Sequence, residues 1–146
     1  MPTHTDLYPR LIVDEPHAAL EFYERALGAE IIEKFTDHED RVVHAAFSVG
    51  DAIVSLAESV PQWGLLSPKA LGGSPCLMHL SVADPDRTAA EMTKAGAQVL
   101  IEIDDRPWGK REGRVADPYG HLWILSKPIE ELSDAEIRQR LGAKAG

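Results

Sequence analysis

The second half of the chain repeats the plan of the first, and this limits the possible folds more than any other feature. The run RLIVDEPHAALEFYERALGAEI returns as HLSVADPDRTAAEMTKAGAQVL, so that Leu11 matches Leu80, Val13 matches Val82, Pro16 matches Pro85 and Gly28 matches Gly96. Each copy continues into strand-like segments, FSVGDAIVSL in the first and ADPYGHLWIL in the second. A unit present twice makes a pseudo-twofold object, whose functional site is expected where the copies meet.

With 146 residues, 44% of them hydrophobic, the chain is long enough for one compact core and too short for two large independent domains. We expect a single domain: module one at 7–58, a linker at 59–75, module two at 76–127 and a C-terminal helical tail at 128–146. Twenty-four acidic against fifteen basic residues give a net charge of −9. That field repels phosphate backbones and attracts cationic small molecules, which argues against nucleic acid as a partner. The single Cys76 excludes an internal disulfide framework and multi-cysteine metal sites and fits a reducing cytoplasm. Within the apolar run CLMHLSV it is expected to be a buried strand residue. The N-terminal MPTHTDLYPR has no apolar signal core, and no segment reaches the ~20 apolar residues that cross a bilayer. The expectation is a soluble, unprocessed, cytoplasmic protein without membrane contact.

The coarse pattern is β-α-β-β-β twice. Tyr8 to Val13 alternates like a half-buried strand, and Asp14-Glu15-Pro16 reads as a helix start, with acid at the positive end of the dipole and proline at the first turn. The helix is expected from Pro16 to Leu27, with Ala19, Leu20, Tyr23 and Leu27 inward, and with Gly28 ending it in a left-handed conformation. Strands follow at Glu30 to Phe35, Arg41 to Val49 and Asp51 to Ala57, the last two joined at Gly50-Asp51. The second copy gives a strand at Cys76 to Val82, a helix at Pro85 to Ala95, and strands at Gln98 to Asp104, Gly113 to Ala116 and His121 to Ser126. Asp117-Pro118-Tyr119-Gly120 has the chemistry of a tight turn, and Ser133-Asp134-Ala135-Glu136 that of a capping box opening a last helix.

The tandem units, the helix phrase ALEFYERALGAE and the turn phrase GRVADPYGHLW resemble the vicinal oxygen chelate superfamily of glyoxalases, extradiol dioxygenases, and bleomycin- and fosfomycin-resistance proteins. The resemblance covers residues 7 to 127. It implies an α+β fold of two βαβββ modules whose curved mixed sheets surround a central cleft, commonly in a homodimer. In catalytic branches it also implies a metal held near the start of the first strand and on the last strand of each module. Those positions fall on Tyr8, Ser55, Leu77 and Ile124, none a strong ligand for a divalent ion. A shift of one residue offers Leu7 or Pro9, Val54 or Leu56, Cys76 or Met78, and Trp123 or Leu125, which adds one plausible ligand where about three are needed.

Strand alternation places Tyr8, Arg10 and Ile12 on one face, and Leu77, His79 and Ser81 on the equivalent face of the second copy. Ile53, Ser55 and Ala57 with Leu122, Ile124 and Ser126 extend these walls into a mostly apolar groove. Arg10 on an inward face needs an acceptor, from a ligand or from a salt bridge to Glu58 or Asp51. His79 is either a core histidine satisfied by a carbonyl or a ligand contact. Trp63 in the linker and Trp108 in the loop Arg106-Pro107-Trp108-Gly109 are rings that packing does not demand; Trp108 suits ligand stacking, and Trp63 either that or a dimer seam. Trp123 alternates into the core, and His121 reads as a hairpin residue. His4, His17 and His44 lack partners at ligand spacing, and Asp37-His38-Glu39-Asp40 reads as a solvated turn, with surface metal capture its alternative. P-loop, dinucleotide-glycine and serine-elbow patterns are missing from the sequence.

The expected function is metal-free binding of a small organic molecule, without a cofactor, through Tyr8, Arg10, Ser55, Trp63, Leu77, His79, Trp108 and Ile124. Sequestration of an aromatic or cationic compound such as an antibiotic is the corresponding mechanism. Two alternatives stay open: a metal-dependent lyase or dioxygenase using His79, Glu58 and His121, and a metal-free isomerase or epimerase with His79 or Tyr8 as acid or base.

Overall fold

In the computed structural model, which describes residues 6–145, each repeat builds its own four-stranded mixed sheet, giving the expected α+β architecture. The chain divides into two compact units. One runs to Ser74 and also takes in Pro118–His121; the other comprises Pro75–Asp117 and the residues from Leu122 onward.

The first unit holds β1 (Arg10–Val13), α1 (Pro16–Leu27), β2 (Glu30–Thr36), β3 (Val42–Val49) and β4 (Ala52–Glu58), with sheet order β1-β4-β3-β2. β1 runs parallel to β4 and the other pairs are antiparallel. Tyr8 precedes β1 instead of opening it. Leu11 and Val13 alternate onto the buried face, as do Leu56 and Phe47, and α1 packs against β2, β3 and β4. The buried side of α1 consists of Pro16, Ala19, Leu20, Phe22, Tyr23 and Ala26, so Leu27 is displaced from the expected stripe by Phe22 and Ala26. Tyr23 stacks on Phe47 with ring centroids 5.0 Å apart. Tyr119, from the DPYG turn, adds edge contacts to Phe22 at 6.0 Å and Tyr23 at 6.4 Å. Such pairs add about 0.5–1.5 kcal/mol each beyond the area they bury.

Proline opens α1 and Gly28 closes it at φ 67°, as expected, but no acidic side chain caps its first turn. Glu15, at the cap position, makes no capping hydrogen bond. Asp14 is engaged elsewhere: its carboxylate accepts the hydroxyls of Ser59 and Ser67 at 2.9 Å each. This draws in the linker, which is more ordered than its composition predicted. It contains a 3-10 turn at Pro61–Trp63 and a short helix, α2 (Pro68–Leu71), capped by Ser67.

The second unit holds β5 (Leu77–Ser81), α3 (Pro85–Lys94), β6 (Gln98–Asp105), β7 (Lys110–Ala116) and β8 (Leu122–Pro128) in the order β5-β8-β7-β6, followed by α4 (Asp134–Ala145). Here the cap works, because Asp84 is one methylene shorter than Glu15 and accepts the Arg87 N–H at 3.1 Å. Trp123 is buried as expected, its indole donating to Asp117 at 3.0 Å. Cys76 is exposed and not buried: it lies just before β5, since the strand starts one residue later than expected. β7 begins three residues earlier than expected, at Lys110, and this matters for the site. The Ser133–Glu136 capping box forms, with the Glu136 N–H donating to the Ser133 hydroxyl at 3.1 Å and the Ser133 N–H to the Glu136 carboxylate at 3.3 Å.

Candidate functional site

Register shows what shares the solvent-side face of each sheet. In the second unit Leu77 pairs with Leu122, His79 with Ile124 and Ser81 with Ser126; across β7, Ile124 meets Arg114 and Ser126 meets Glu112. Arg114 in turn pairs with Ile101 of β6. The face is therefore crossed by a row His79-Ile124-Arg114-Ile101, with Ser81-Ser126-Glu112 beside it. Part of it is an open-sided cavity of about 200 Å³ lined by Ile101, Arg106, Trp108, Glu112, Arg114 and Ile124, with Gly113 in its wall. Of the sequence candidates, Trp108 and Ile124 line this cavity, whereas Leu77 is half-buried and His79 exposed on the same face outside the lining.

The loop that carries Trp108 is fastened from several sides. The N–H of Gly109, at φ 83°, donates to the Arg106 carbonyl at 3.1 Å, and Arg106 N–H donates to Lys110 O at 2.7 Å. The Trp108 indole N–H reaches one oxygen of Glu112 at 2.7 Å, while the Ser126 hydroxyl takes the other at 2.6 Å. The Arg106 guanidinium is also used, donating to the carbonyls of Glu112 and Glu102. Arg140 of α4 forms a two-pronged pair with Glu130, at 2.8 and 3.1 Å, and donates to Pro107 O at 3.3 Å. The hydrogen bond from Arg140 holds the Glu130 carboxyl below its usual pKa. The helical tail therefore braces the tryptophan loop, a role its sequence did not disclose.

Arg114 differs from its neighbours. Its Nε is buried and lacks a hydrogen-bond partner among the described residues. On the opposite face of β7, Arg111 binds Asp86 at 2.8 Å and Asp105 at 2.9 Å, which raises the guanidinium pKa and lowers that of Asp86.

The first unit presents a second polar set. Arg10 pairs in register with Ser55, Ser55 with Ala46, and Ala46 with Glu33. Arg10 is exposed, and it contacts neither Glu58 nor Asp51. Its guanidinium donates to His44 Nδ1 at 2.8 Å and to Val43 O at 2.9 Å. An acceptor at Nδ1 places the imidazole proton on Nε2, which donates to Glu33 at 2.9 Å. The expected acceptor was absent because Glu58 pairs with Arg41 at 3.3 Å. Ser55 is buried and spends its hydroxyl on Pro9 O at 3.1 Å. Tyr8 is 48% exposed and Trp63 76% exposed. Trp63 and Arg10 line a cavity of about 220 Å³ together with Arg41, Val43, Glu58 and Leu65.

Among the described residues no three of His, Cys, Asp or Glu stand together as a metal ligand set. His121 is buried and donates from Nε2 to Ile12 O at 2.9 Å, and Glu58 is taken by Arg41, so two of the three residues in the metal-enzyme alternative are already engaged. The Asp37-His38-Glu39-Asp40 cluster is a turn: the Asp37 carboxylate accepts the N–H groups of Arg41 and Glu39, and these bonds, with His38 and Arg41 nearby, lower its pKa. His17 ties that turn to α1 through Asp40 O at 2.9 Å. His4 lies outside the described residues. A metal at the positions implied by the family resemblance, Tyr8, Ser55, Leu77 and Ile124, finds no donor set that suits it.

Sequence reasoning missed Arg106, Glu112, Arg114 and Ile101, and also the Arg10-His44-Glu33 relay. The signal for the first group was available: continuing the β7 alternation back from Gly113 puts Glu112 and Arg114 on the same face as Ile124 and Ser126.

Comparison with known proteins agrees with the folding pattern. Residues 3–125 match the profile of the Glyoxalase/Bleomycin resistance protein/Dioxygenase superfamily. An uncharacterized protein of Mycobacterium bovis is 35% identical over 94% of this chain and 93% of its own. CFP32 of the same organism, which carries a provisional glyoxylase name, is 33% identical over 88% of this chain, which spans 46% of CFP32. The fold is also that of FosX, a fosfomycin resistance protein of Listeria monocytogenes solved with Mn(II) and sulfate, with a TM-score of 0.68 at 15% identity over 97% of this chain and 99% of that one. With the βαβββ unit present twice and the superfamily profile spanning both copies, the chain belongs to the Glyoxalase/Bleomycin resistance protein/Dioxygenase superfamily.

Proposed function

We propose that this chain binds a small planar organic molecule without a metal, holding it against Trp108 in the second-unit cavity. The observation that carries the reading is the fixed indole: a ring tied by Glu112 at 2.7 Å, on a loop held by Arg140, lines a cavity of about 200 Å³ walled by Ile101 and Ile124. A rigid aromatic surface stacks with little loss of side-chain entropy, and the apolar walls supply the remaining affinity. The unsuitable donor set supports binding without Lewis-acid chemistry. Sequestration of an aromatic compound such as an antibiotic, in a cytoplasmic homodimer, is the biological role we assign to this activity. The exposed apolar side chains Ile32, Phe35 and Val43 are available for subunit contact.

The test combines elemental analysis of untagged protein, purified without chelator, with titration of aromatic compounds followed by tryptophan fluorescence. The expected outcome is metal far below one ion per chain and saturable quenching that Trp108→Ala removes. A stoichiometric transition metal accompanied by turnover would overturn the proposal.

A further inference from the structure

Within this reading of the second-unit cavity, the charges of its lining point to a class of ligand. Three ionic side chains line it, and two are already committed. Glu112 has both carboxylate oxygens occupied, by the Trp108 indole and the Ser126 hydroxyl. Arg106 gives two of its guanidinium N–H groups, Nε among them, to the backbone carbonyls of Glu112 and Glu102. Arg114 is left with a buried, unsatisfied Nε, and its cross-strand neighbours are Ile124 and Ile101. A buried donor without a partner is a cost carried by the free chain, which an incoming acceptor relieves.

We propose that Arg114 is the anchoring cation of this cavity and that its ligand is a planar aromatic acid, whose carboxylate pairs with the guanidinium while its ring lies against Trp108. A guanidinium holds a carboxylate by two parallel N–H···O bonds, a geometry that neither a neutral amide nor a cation reproduces. A carboxylate that draws the side chain a short way into the cavity gives Nε its missing acceptor. The net charge of −9 acts against an anion at long range, but at physiological salt it is screened beyond roughly 8 Å, whereas the guanidinium acts at contact.

The experiment is calorimetric titration of the full chain with three probes sharing one ring system: 2-naphthoate, 2-naphthamide and 2-naphthylmethylammonium. The naphthoate is expected to bind at least tenfold more tightly than the amide, and its affinity to fall as sodium chloride is raised. In Arg114→Gln the difference between naphthoate and amide should shrink to less than about threefold, while Arg114→Lys retains part of it. If the wild-type chain binds the amide or the ammonium as tightly as the naphthoate, the anchor is overturned and the aromatic site survives. If Arg114→Gln is folded by circular dichroism and keeps the full preference, the anchor is again overturned. If none of the three binds, the cavity is not the ligand site and both proposals fail.

Discussion

Gly113 shows how narrowly single residues define the site. A Cβ built there would lie 2.5 Å from Ile101 O and 2.8 Å from the next peptide, so β6 can approach β7 at this point only against a glycine. The neighbours on either side are Glu112 and Arg114, so the same approach sets the wall of the cavity. Gly113→Ala is therefore expected to destabilise the chain by about 2–3 kcal/mol through overpacking, read from the midpoint of urea unfolding, and to weaken ligand quenching at Trp108. An unchanged midpoint would mean that β6 moves away freely. Residue chemistry was legible in the sequence where it depended on local context. Trp108 stood out because no core position required it, and Trp123 was placed inside by alternation. The partner of Arg10 was not legible, because His44 lies 34 positions away and strand pairing, not spacing, brings the two together.

Among the elements, α4 has the least obvious purpose and a clear contact. Arg140 links Glu130 to the Pro107 carbonyl and so holds the Trp108 loop from behind. Glu130 has its pKa lowered in the folded chain by that hydrogen bond, so the contact contributes stability above the ordinary carboxyl value of 4.5 and loses it as the pH falls through the lower folded value. Tryptophan emission in a Trp63→Phe background, which reports Trp108 above a constant contribution from the buried Trp123, should stay constant above about pH 5 and change on acidification. Glu130→Gln should show the acid-side emission at neutral pH, whereas matching titrations of the two proteins would remove α4 from the account. Most element boundaries were legible to within one or two residues, since proline, glycine and alternation mark them. β7 was not, because Lys110, Arg111 and Glu112 are polar on both faces and give no hydrophobic alternation. The linker was underread for a related reason: its order comes from Asp14, which lies in the sequence of another element.

At the scale of the whole molecule, the repeat in the sequence announced two similar sheets, and two similar sheets are found. It did not announce how the packing is divided, because a contact between distant segments leaves no local pattern. Tyr119, in the repeat that ends the chain, is buried against Phe22 and Tyr23 near its beginning. Tyr119→Ala should cost about 3–4 kcal/mol and lower the thermal midpoint of the first unit, measured by calorimetry. A loss below 1 kcal/mol would show that the aromatic cluster closes without it. The same feature bears on biosynthesis. A ribosome that has made the first 74 residues has supplied nearly all of the first unit but not the Pro118–His121 segment that completes its core. The nascent chain must then carry Phe22 and Tyr23 incompletely covered until more than forty further residues have emerged, and during that interval a chaperone has the most to protect.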